Sequence, residues 1–407
     1  MNVVIRPQPL SGTVTAPSSK SDIQRIAVCA MIADNKTVIR HNSGADDVRT
    51  VFSCLSALGA EVEFGDGYTS VIPHDPPSET SLFCGESGAV SRFLIPAAAA
   101  ICGLVRADGL PGLRRRPLSP LVGAMRQNGC EIDSDSLPME IKGRLLPGDY
   151  RIRGDISSQF ISGLLMALPK LSGPSRIITE GKTASSGYIE MTLSVLREFG
   201  VRIEKQDNIF LISPSGYLSP GEISAEGDWS CAAYILACGS GVSASGLRDD
   251  SLQRDKMIKP LIGEISSLGG GDLVIDVSDI PDLVPALAAV ASVCHGSVRI
   301  VNAGRLRVKE SDRLETTRSV LAAMGADISV SEDGLIIRGV KKLHSAVIPS
   351  YGDHRIVMAA AAAAARSAET GGFEGELKIT NAEAVNKSYP GFFDNYRFLG
   401  GDVSYEL

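Results

Sequence analysis

Arg197-Glu198-Phe199-Gly200-Val201-Arg202-Ile203 is the stretch on which the reading of this chain turns. Before it, Ile189, Leu193 and Leu196 recur at helical spacing, the mark of an amphipathic helix. Glycine suits the left-handed position just past a helix end, and the alternation after Gly200 suits a half-buried strand. The same pattern recurs at Ser56-Ala57-Leu58-Gly59-Ala60-Glu61-Val62 and at Arg126-Gln127-Asn128-Gly129-Cys130-Glu131-Ile132. It returns at Ser267-Leu268-Gly269, Ala323-Met324-Gly325-Ala326-Asp327-Ile328 and Phe398-Leu399-Gly400-Gly401-Asp402-Val403. The glycines stand at 59, 129, 200, 269, 325 and 400, separated by 70, 71, 69, 56 and 75 residues.

A second series interleaves with the first. Polar clusters at Lys20-Ser21, Glu86-Ser87-Gly88, Ser157-Ser158-Gln159, Asp228-Trp229-Ser230, Pro281-Asp282 and Asp353-His354-Arg355 each open a stretch of small apolar residues. Their starts at 20, 86, 157, 228, 282 and 353 are 66, 71, 71, 54 and 71 residues apart. A helix apolar on every side is a buried one. The two series predict six units of about 70 residues, each with a buried helix, an amphipathic helix and several strands. A break near 225–228 predicts two similar α/β domains of three units.

The composition narrows the class. The chain has 407 residues, with Lys plus Arg 40 and Asp plus Glu 47, a net charge of −7. That balance gives no reason to expect a nucleic-acid partner or an anionic membrane surface. The longest nearly apolar run, 93–105, is shorter than the roughly 20 residues a bilayer helix needs. The start, Met1-Asn2-Val3-Val4-Ile5-Arg6-Pro7, lacks the layout of a signal peptide, so a cytoplasmic location is expected. Eight cysteines without a CxxC pair read as reduced, buried thiols. Five scattered histidines without HExxH give no expectation of a metal. Glu180-Gly181-Lys182-Thr183 resembles the end of a P-loop, but Arg176 stands where its first glycine would have to be.

The polar clusters carry the chemistry. The first turn of a helix has free N–H groups and the positive end of the dipole, so it attracts anions. Lys20, Ser21 and Arg25, then Ser157, Ser158 and Gln159, then His354 and Arg355 stand at such starts. Parallel buried helices would gather these starts at one face of each domain, and two opposed faces would make an electropositive cleft for phosphates or carboxylates. Arg114-Arg115-Arg116-Pro117 and the run Arg305 to Arg313 add cations. The latter alternates charged and apolar residues like a strand entering a helix, with Ser311 or Asp312 as its cap.

Taken in order, these motifs resemble the EPSP synthase family, the 3-phosphoshikimate 1-carboxyvinyltransferases. The resemblance runs from Ala16 to Tyr396. It is carried by Ser19-Lys20-Ser21 with Arg25, Ser87-Gly88 with Arg92, Arg116-Pro117, Ser157-Ser158-Gln159-Phe160 and Ser185 with Tyr188. Glu226-Gly227-Asp228, Pro281-Asp282, Arg307 to Leu314, Asp353-His354-Arg355 and Lys387 before Tyr389-Pro390 complete it. The chain departs from the family pattern at Glu86, Ala89 and Phe93, where Asn, Thr and, in some members, Pro are usual.

The resemblance implies a mixed α/β fold of two domains, 18–226 and 1–17 with 227–407, each an inside-out α/β barrel of three βαβαββ-type units around buried parallel helices. It implies a reaction in the cleft between them that moves the enolpyruvyl group of phosphoenolpyruvate to the 5-hydroxyl of shikimate 3-phosphate, with domain closure, in the route to chorismate and aromatic amino acids. Asp282 would accept the hydroxyl proton, Glu310 would exchange the methyl proton, and Lys20 would bridge both substrates. Lys20, Ser21, Arg25, Ser157, Ser158, Gln159, Ser185, Asp282 and Lys309 would hold shikimate 3-phosphate. Lys20, Gly88, Arg116, Gln159, Arg313, His354, Arg355 and Lys387 would hold phosphoenolpyruvate. No cofactor or metal is implied, and a cytoplasmic monomer without nucleic-acid or membrane partner is expected. Two relatives of similar architecture remain as alternatives: the UDP-N-acetylglucosamine enolpyruvyltransferases, whose Lys-Asn motif and loop cysteine are missing here, and the RNA 3′-phosphate cyclases.

Overall fold

The structure is a computed structural model that describes residues 1–181 and 185–406. Lys182 and Thr183 of the P-loop-like run lie outside the described residues. The chain divides into two compact units, a continuous one, Ser18–Glu226, and a discontinuous one, Met1–Pro17 with Gly227–Leu407.

The buried helices of the continuous unit are Lys20–Ile32, Gly88–Ile101 and Ser158–Ala167. Those of the discontinuous unit are Trp229–Ala237, Val284–Ala291 and His354–Thr370. Five of the six are capped as their sequences ask. The side chains of Ser19, Ser87, Ser157, Asp228 and Asp353 accept from the backbone N–H of Asp22, Val90, Gln159, Cys231 and Arg355. Val284–Ala291 differs: a 3-10 turn, Pro281–Leu283, leads into it and no side chain caps it. Pro281 has no N–H to satisfy, which leaves the Asp282 carboxylate available for other partners.

Small side chains let these helices approach closely. Residues 359–365 are seven consecutive alanines without solvent exposure, and they pack in a core with Leu283, Leu287 and Ile356. The continuous unit has its own core, in which Ile26, Leu94, Phe160 and Leu164 are buried. Each fully buried Leu, Ile or Phe contributes about 1.5–3 kcal/mol of transfer free energy.

The sheets lie outside the helices and repeat one pattern. In Glu79–Phe83, Leu104–Asp108, Met139–Lys142 and Glu131–Ile132, the first two strands are parallel across the buried helix and the other pairs are antiparallel. The sheet of Asp149–Arg153, Ser175–Glu180, Ile209–Ile212 and Glu204–Gln206 is ordered the same way, as is that of Asp272–Asp276, Ser297–Val301, Leu335–Arg338 and Asp327–Val330. Among the described residues these are separate sheets around a helical interior, so the arrangement is inside-out without a closed barrel of strands.

Three details depart from six equal units. Ser11–Thr15 precedes Lys20–Ile32 in sequence, yet it pairs in parallel with Gly241–Ser245 of the discontinuous unit. Conversely, Glu222–Ser224 precedes Trp229–Ala237 but pairs with Thr37–Arg40 of the continuous unit. Each unit therefore borrows the chain's entry strand for the other unit's helix. In addition, the fourth unit has no hairpin after its amphipathic helix Ile258–Ser266: the strand after Gly269, Asp272–Asp276, already begins the next sheet. Its sheet has only two strands, Gly241–Ser245 and Ser11–Thr15. That explains the short spacing, since 71 − 54 = 17 residues is about the length of a hairpin.

The six glycines behave alike. Gly59, Gly129, Gly200, Gly269, Gly325 and Gly400 all have φ between +57° and +98°, the left-handed region that side chains with a Cβ disfavour. All eight cysteines are free thiols, seven of them buried. No helix among the described residues is long and apolar enough to cross a membrane. The run after Gly304 corrects the sequence reading: Gly304–Val308 is a 3-10 turn rather than a strand, and Asp312 caps the helix Arg313–Ala323.

Candidate active site

The buried helices bring their first turns together in each unit. In the continuous unit, Gln24 of the first helix donates to Oγ of Ser87, the cap of the second, at 3.2 Å. Arg92 of the second donates to Oε1 of Gln159 in the third at 2.6 Å, and its guanidinium lies over the Phe160 ring. Lys20 forms an ion pair with Asp47 at 2.9 Å, both largely buried. Asp47 opens the amphipathic helix Asp46–Ala57 and gave no sign in the sequence of being Lys20's partner.

Arg116 and Gly88 meet. A methyl built on Gly88 would come within 3.1 Å of Nη1 of Arg116 and 3.3 Å of Nη1 of Arg92. Two guanidinium groups thus lie over the start of a helix whose free N–H groups favour anions. Ser157 and Ser158 stand at the start of their helix, Ser158 buried. Ser185, also buried, adopts a left-handed φ of 54° as the residue before the helix Ser186–Glu198.

Arg25 ties two helices together. Only 1% exposed, it donates to Thr192 Oγ1, to the Ser21 carbonyl and to the Tyr188 carbonyl at 2.8, 2.6 and 3.1 Å. Burial pulls its pKa down to about 10. These bonds tie its helix to the helix that follows Ser185, and Thr192 passes the link on to Ser162.

In the discontinuous unit the convergence is denser, and Arg313 is its centre. Its guanidinium donates to Asp353 Oδ2 at 2.8 Å, Asp282 Oδ1 at 2.9 Å and Glu310 Oε2 at 2.5 Å. Asp353 has no solvent exposure; it also accepts from Ser311 Oγ and caps the backbone of Arg355. Arg355 reaches Asp282 Oδ2 at 3.3 Å, and Lys387 lies 3.5 Å from Glu310 Oε1. The Tyr234 hydroxyl donates to the Asp282 carbonyl at 3.1 Å. His354 is wholly buried, its Nδ1 3.7 Å from Asp353.

The charges shape the titration of this group. Burial alone would raise the Asp282 carboxyl, but Arg355, Lys309 and Arg313 outweigh it and hold the group well below the usual carboxylate range. Burial lowers the Lys309 ammonium, with Asp282 acting in the opposite direction. Burial also lowers Arg313, but its carboxylate partners, Asp353 foremost, leave it raised on balance. One more acid belongs here that sequence reasoning passed over. Asp255, buried, accepts a short hydrogen bond from Ser230. Burial and the field of Asp282 raise its carboxyl to about 7.

This arrangement places two carboxylates, Asp282 and Glu310, among Arg313, Arg355, Lys309 and Lys387 around the helix starts of one unit. It can accept and return protons while holding an anion. Among the described residues no group of three His, Cys, Asp or Glu side chains is set to hold a metal ion.

Comparison with known proteins agrees with this architecture. The family model described as EPSP synthase (3-phosphoshikimate 1-carboxyvinyltransferase) matches residues 4–396. The 3-phosphoshikimate 1-carboxyvinyltransferase of Clostridium kluyveri is 37% identical, covering 98% of both chains. That of Clostridium acetobutylicum is 36% identical, covering 99% of this chain and 98% of its own. The solved EPSP synthase of Acinetobacter baumannii superposes with a TM-score of 0.80 at 23% identity, over 99% of this chain and 100% of its own. By its match across nearly the full length, the chain belongs to the EPSP synthase family.

Proposed function

We propose that this enzyme transfers the enolpyruvyl group of phosphoenolpyruvate to the 5-hydroxyl of shikimate 3-phosphate, releasing inorganic phosphate through a tetrahedral adduct. In a chain of this family, the observation that carries the reading is the Arg313 cluster, with Asp282 and Glu310 both held on one guanidinium. Asp282 takes the hydroxyl proton as the 5-oxygen attacks C2. Glu310 gives a proton to the methylene carbon, which becomes a methyl group. In the second half, Glu310 takes a methyl proton back as the bond from C2 to the phosphate oxygen breaks, and the phosphate leaves with the proton that Asp282 had taken from the hydroxyl.

The cations support this division of labour. In the free enzyme Arg355, Lys309 and Arg313 keep Asp282 ionised, ready to accept a proton. When Arg355, Arg313 and Lys387 turn part of their field to the phosphoenolpyruvate anion, Asp282 becomes more basic. We assign Arg116, Gln159, His354 and the Gly88 backbone to the same substrate. Lys20 is assigned to both substrates and to assisting proton transfer. Ser21, Arg25, Ser157, Ser158, Gln159, Ser185 and Lys309 are assigned to shikimate 3-phosphate, with Arg25 also tying its helix to Thr192. On this reading the enzyme works as a cytoplasmic monomer on small molecules, without cofactor, nucleic acid or membrane.

The test is phosphate release from phosphoenolpyruvate with each acceptor in turn. Turnover with shikimate 3-phosphate is expected. Turnover with UDP-N-acetylglucosamine in its place would overturn the reading.

A further inference from the structure

Glu86 sits two residues ahead of the helix Gly88–Ile101, on the side where that helix attracts anions. Its Oε1 accepts the backbone N–H of Gly112 at 3.2 Å, and its Oε2 lies 3.9 Å from Nη2 of Arg116. Gly112 is shaped for this contact: a Cβ there would come within 2.5 Å of Oε2 and 2.8 Å of Oε1. Arg116 in turn is only 8% exposed and lies over Gly88. A cation, a helix start and a built-in carboxylate therefore share one small space.

We propose that Glu86 is a specificity-determining residue, an internal counter-anion that competes with the phosphoenolpyruvate anion for Arg116 and so weakens the enzyme's affinity for that substrate. The proposal rests on the assignment of Arg116 to phosphoenolpyruvate. Its physical basis is the sign of the charge. A partly exposed carboxylate about 4 Å from a guanidinium draws off some of its field, a modest effect because one partner reaches solvent. A second anion arriving at the same guanidinium meets that carboxylate as a like charge. The hydrogen bond from Gly112 keeps the carboxylate from swinging away.

Glu86→Gln separates charge from shape, because the amide oxygen can still accept from Gly112. The KM for phosphoenolpyruvate and the KM for shikimate 3-phosphate are measured for both proteins, with the thermal midpoint as a control on folding. A fall of about threefold in the first, with the second unchanged within error, is expected from the size of the charge effect. Raising the ionic strength should shrink the gap between the two proteins, since screening weakens the charge that Gln lacks. A KM for phosphoenolpyruvate that stays the same or rises in the variant would overturn the proposal, as the carboxylate would then be neutral to the substrate or a support for Arg116. Failure of the parent protein to turn over this substrate pair would instead overturn the functional reading itself.

Discussion

Arg313 donates Nη1–H to Oδ1 of Asp282 at 2.9 Å, with the two side chains 2% and 13% exposed. The bond points one carboxylate oxygen in a fixed direction and keeps it ionised. Asp282→Asn keeps the outline of that side chain and removes its basicity. Its turnover should fall by at least about 10²-fold, the usual scale of general-base work. Glu310→Gln should lose at least about as much for the other proton. Phosphate release under saturating substrates is the measurement, and wild-type rates in both variants would refute the assigned roles.

The same guanidinium also carries structural weight. Arg313 separates three carboxylates, those of Asp282, Glu310 and Asp353. Removing the cation leaves those charges facing one another, and breaking such a buried set costs about 3–5 kcal/mol. Arg313→Ala should therefore lower the thermal midpoint by about 10 °C. Adding Asp353→Asn to Arg313→Ala should recover part of that loss, because it removes the most buried of the stranded charges. A double variant less stable than Arg313→Ala would show that Asp353 acts through its cap on Arg355 and not through Arg313.

How much of this was legible follows from how local each signal is. Helix starts and stops were readable because a Ser or Asp cap and a left-handed glycine act within one turn of chain; Ser87 and Gly129 needed nothing distant. The missing hairpin after Gly269 showed only as a shortened spacing, since the glycine itself looks like the other five. The exchanged strands, Ser11–Thr15 and Glu222–Ser224, could not be read from residues at all, because pairing partners more than 180 positions apart leave no local mark. The site divides the same way. Asp282, Glu310 and Arg355 stand in recognisable motifs. Asp47 beside Lys20 and Asp255 beside Ser230 are acids whose importance comes from burial, a property of the fold. Arg25 stands at a helix start that the sequence marks, and its hydrogen bond to Thr192 on another helix is again a property of the fold.

Gly88 tests the anion end of the continuous unit. A methyl there would stand 3.1 Å from Nη1 of Arg116 and 3.3 Å from Nη1 of Arg92, closer than ordinary contact. Both groups end flexible side chains, so they would shift and the helix would survive. The shift moves the cations away from the helix start. Gly88→Ala should raise the KM for phosphoenolpyruvate by about tenfold, matching the lower end of overpacking costs at about 1–1.5 kcal/mol. The thermal midpoint should hardly change, since Ala is the better helix former. An unchanged KM would mean that the substrate does not approach this backbone.

Asp255 provides a prediction in pH. Its carboxyl is raised to about 7 by burial and by Asp282, with Asp228 adding to the rise and Arg355 and the Ser230 hydroxyl opposing it. In the unfolded chain an Asp titrates near 3.9. Between about pH 4 and 7 the folded protein therefore holds a proton that the unfolded chain has released. By linkage, stability then falls as pH rises through that window and levels off above it. Below pH 4 both states carry the proton and the group contributes no pH dependence. Asp255→Asn keeps an acceptor for Ser230 and has no charge to bury. The variant should match the parent's thermal midpoint near pH 4 and exceed it by about 3 °C or more at pH 8. Thermal unfolding at several pH values measures this directly. A difference between the two proteins that is the same at pH 4 and pH 8 would mean that the residue acts through packing and that its proton is not taken up on folding.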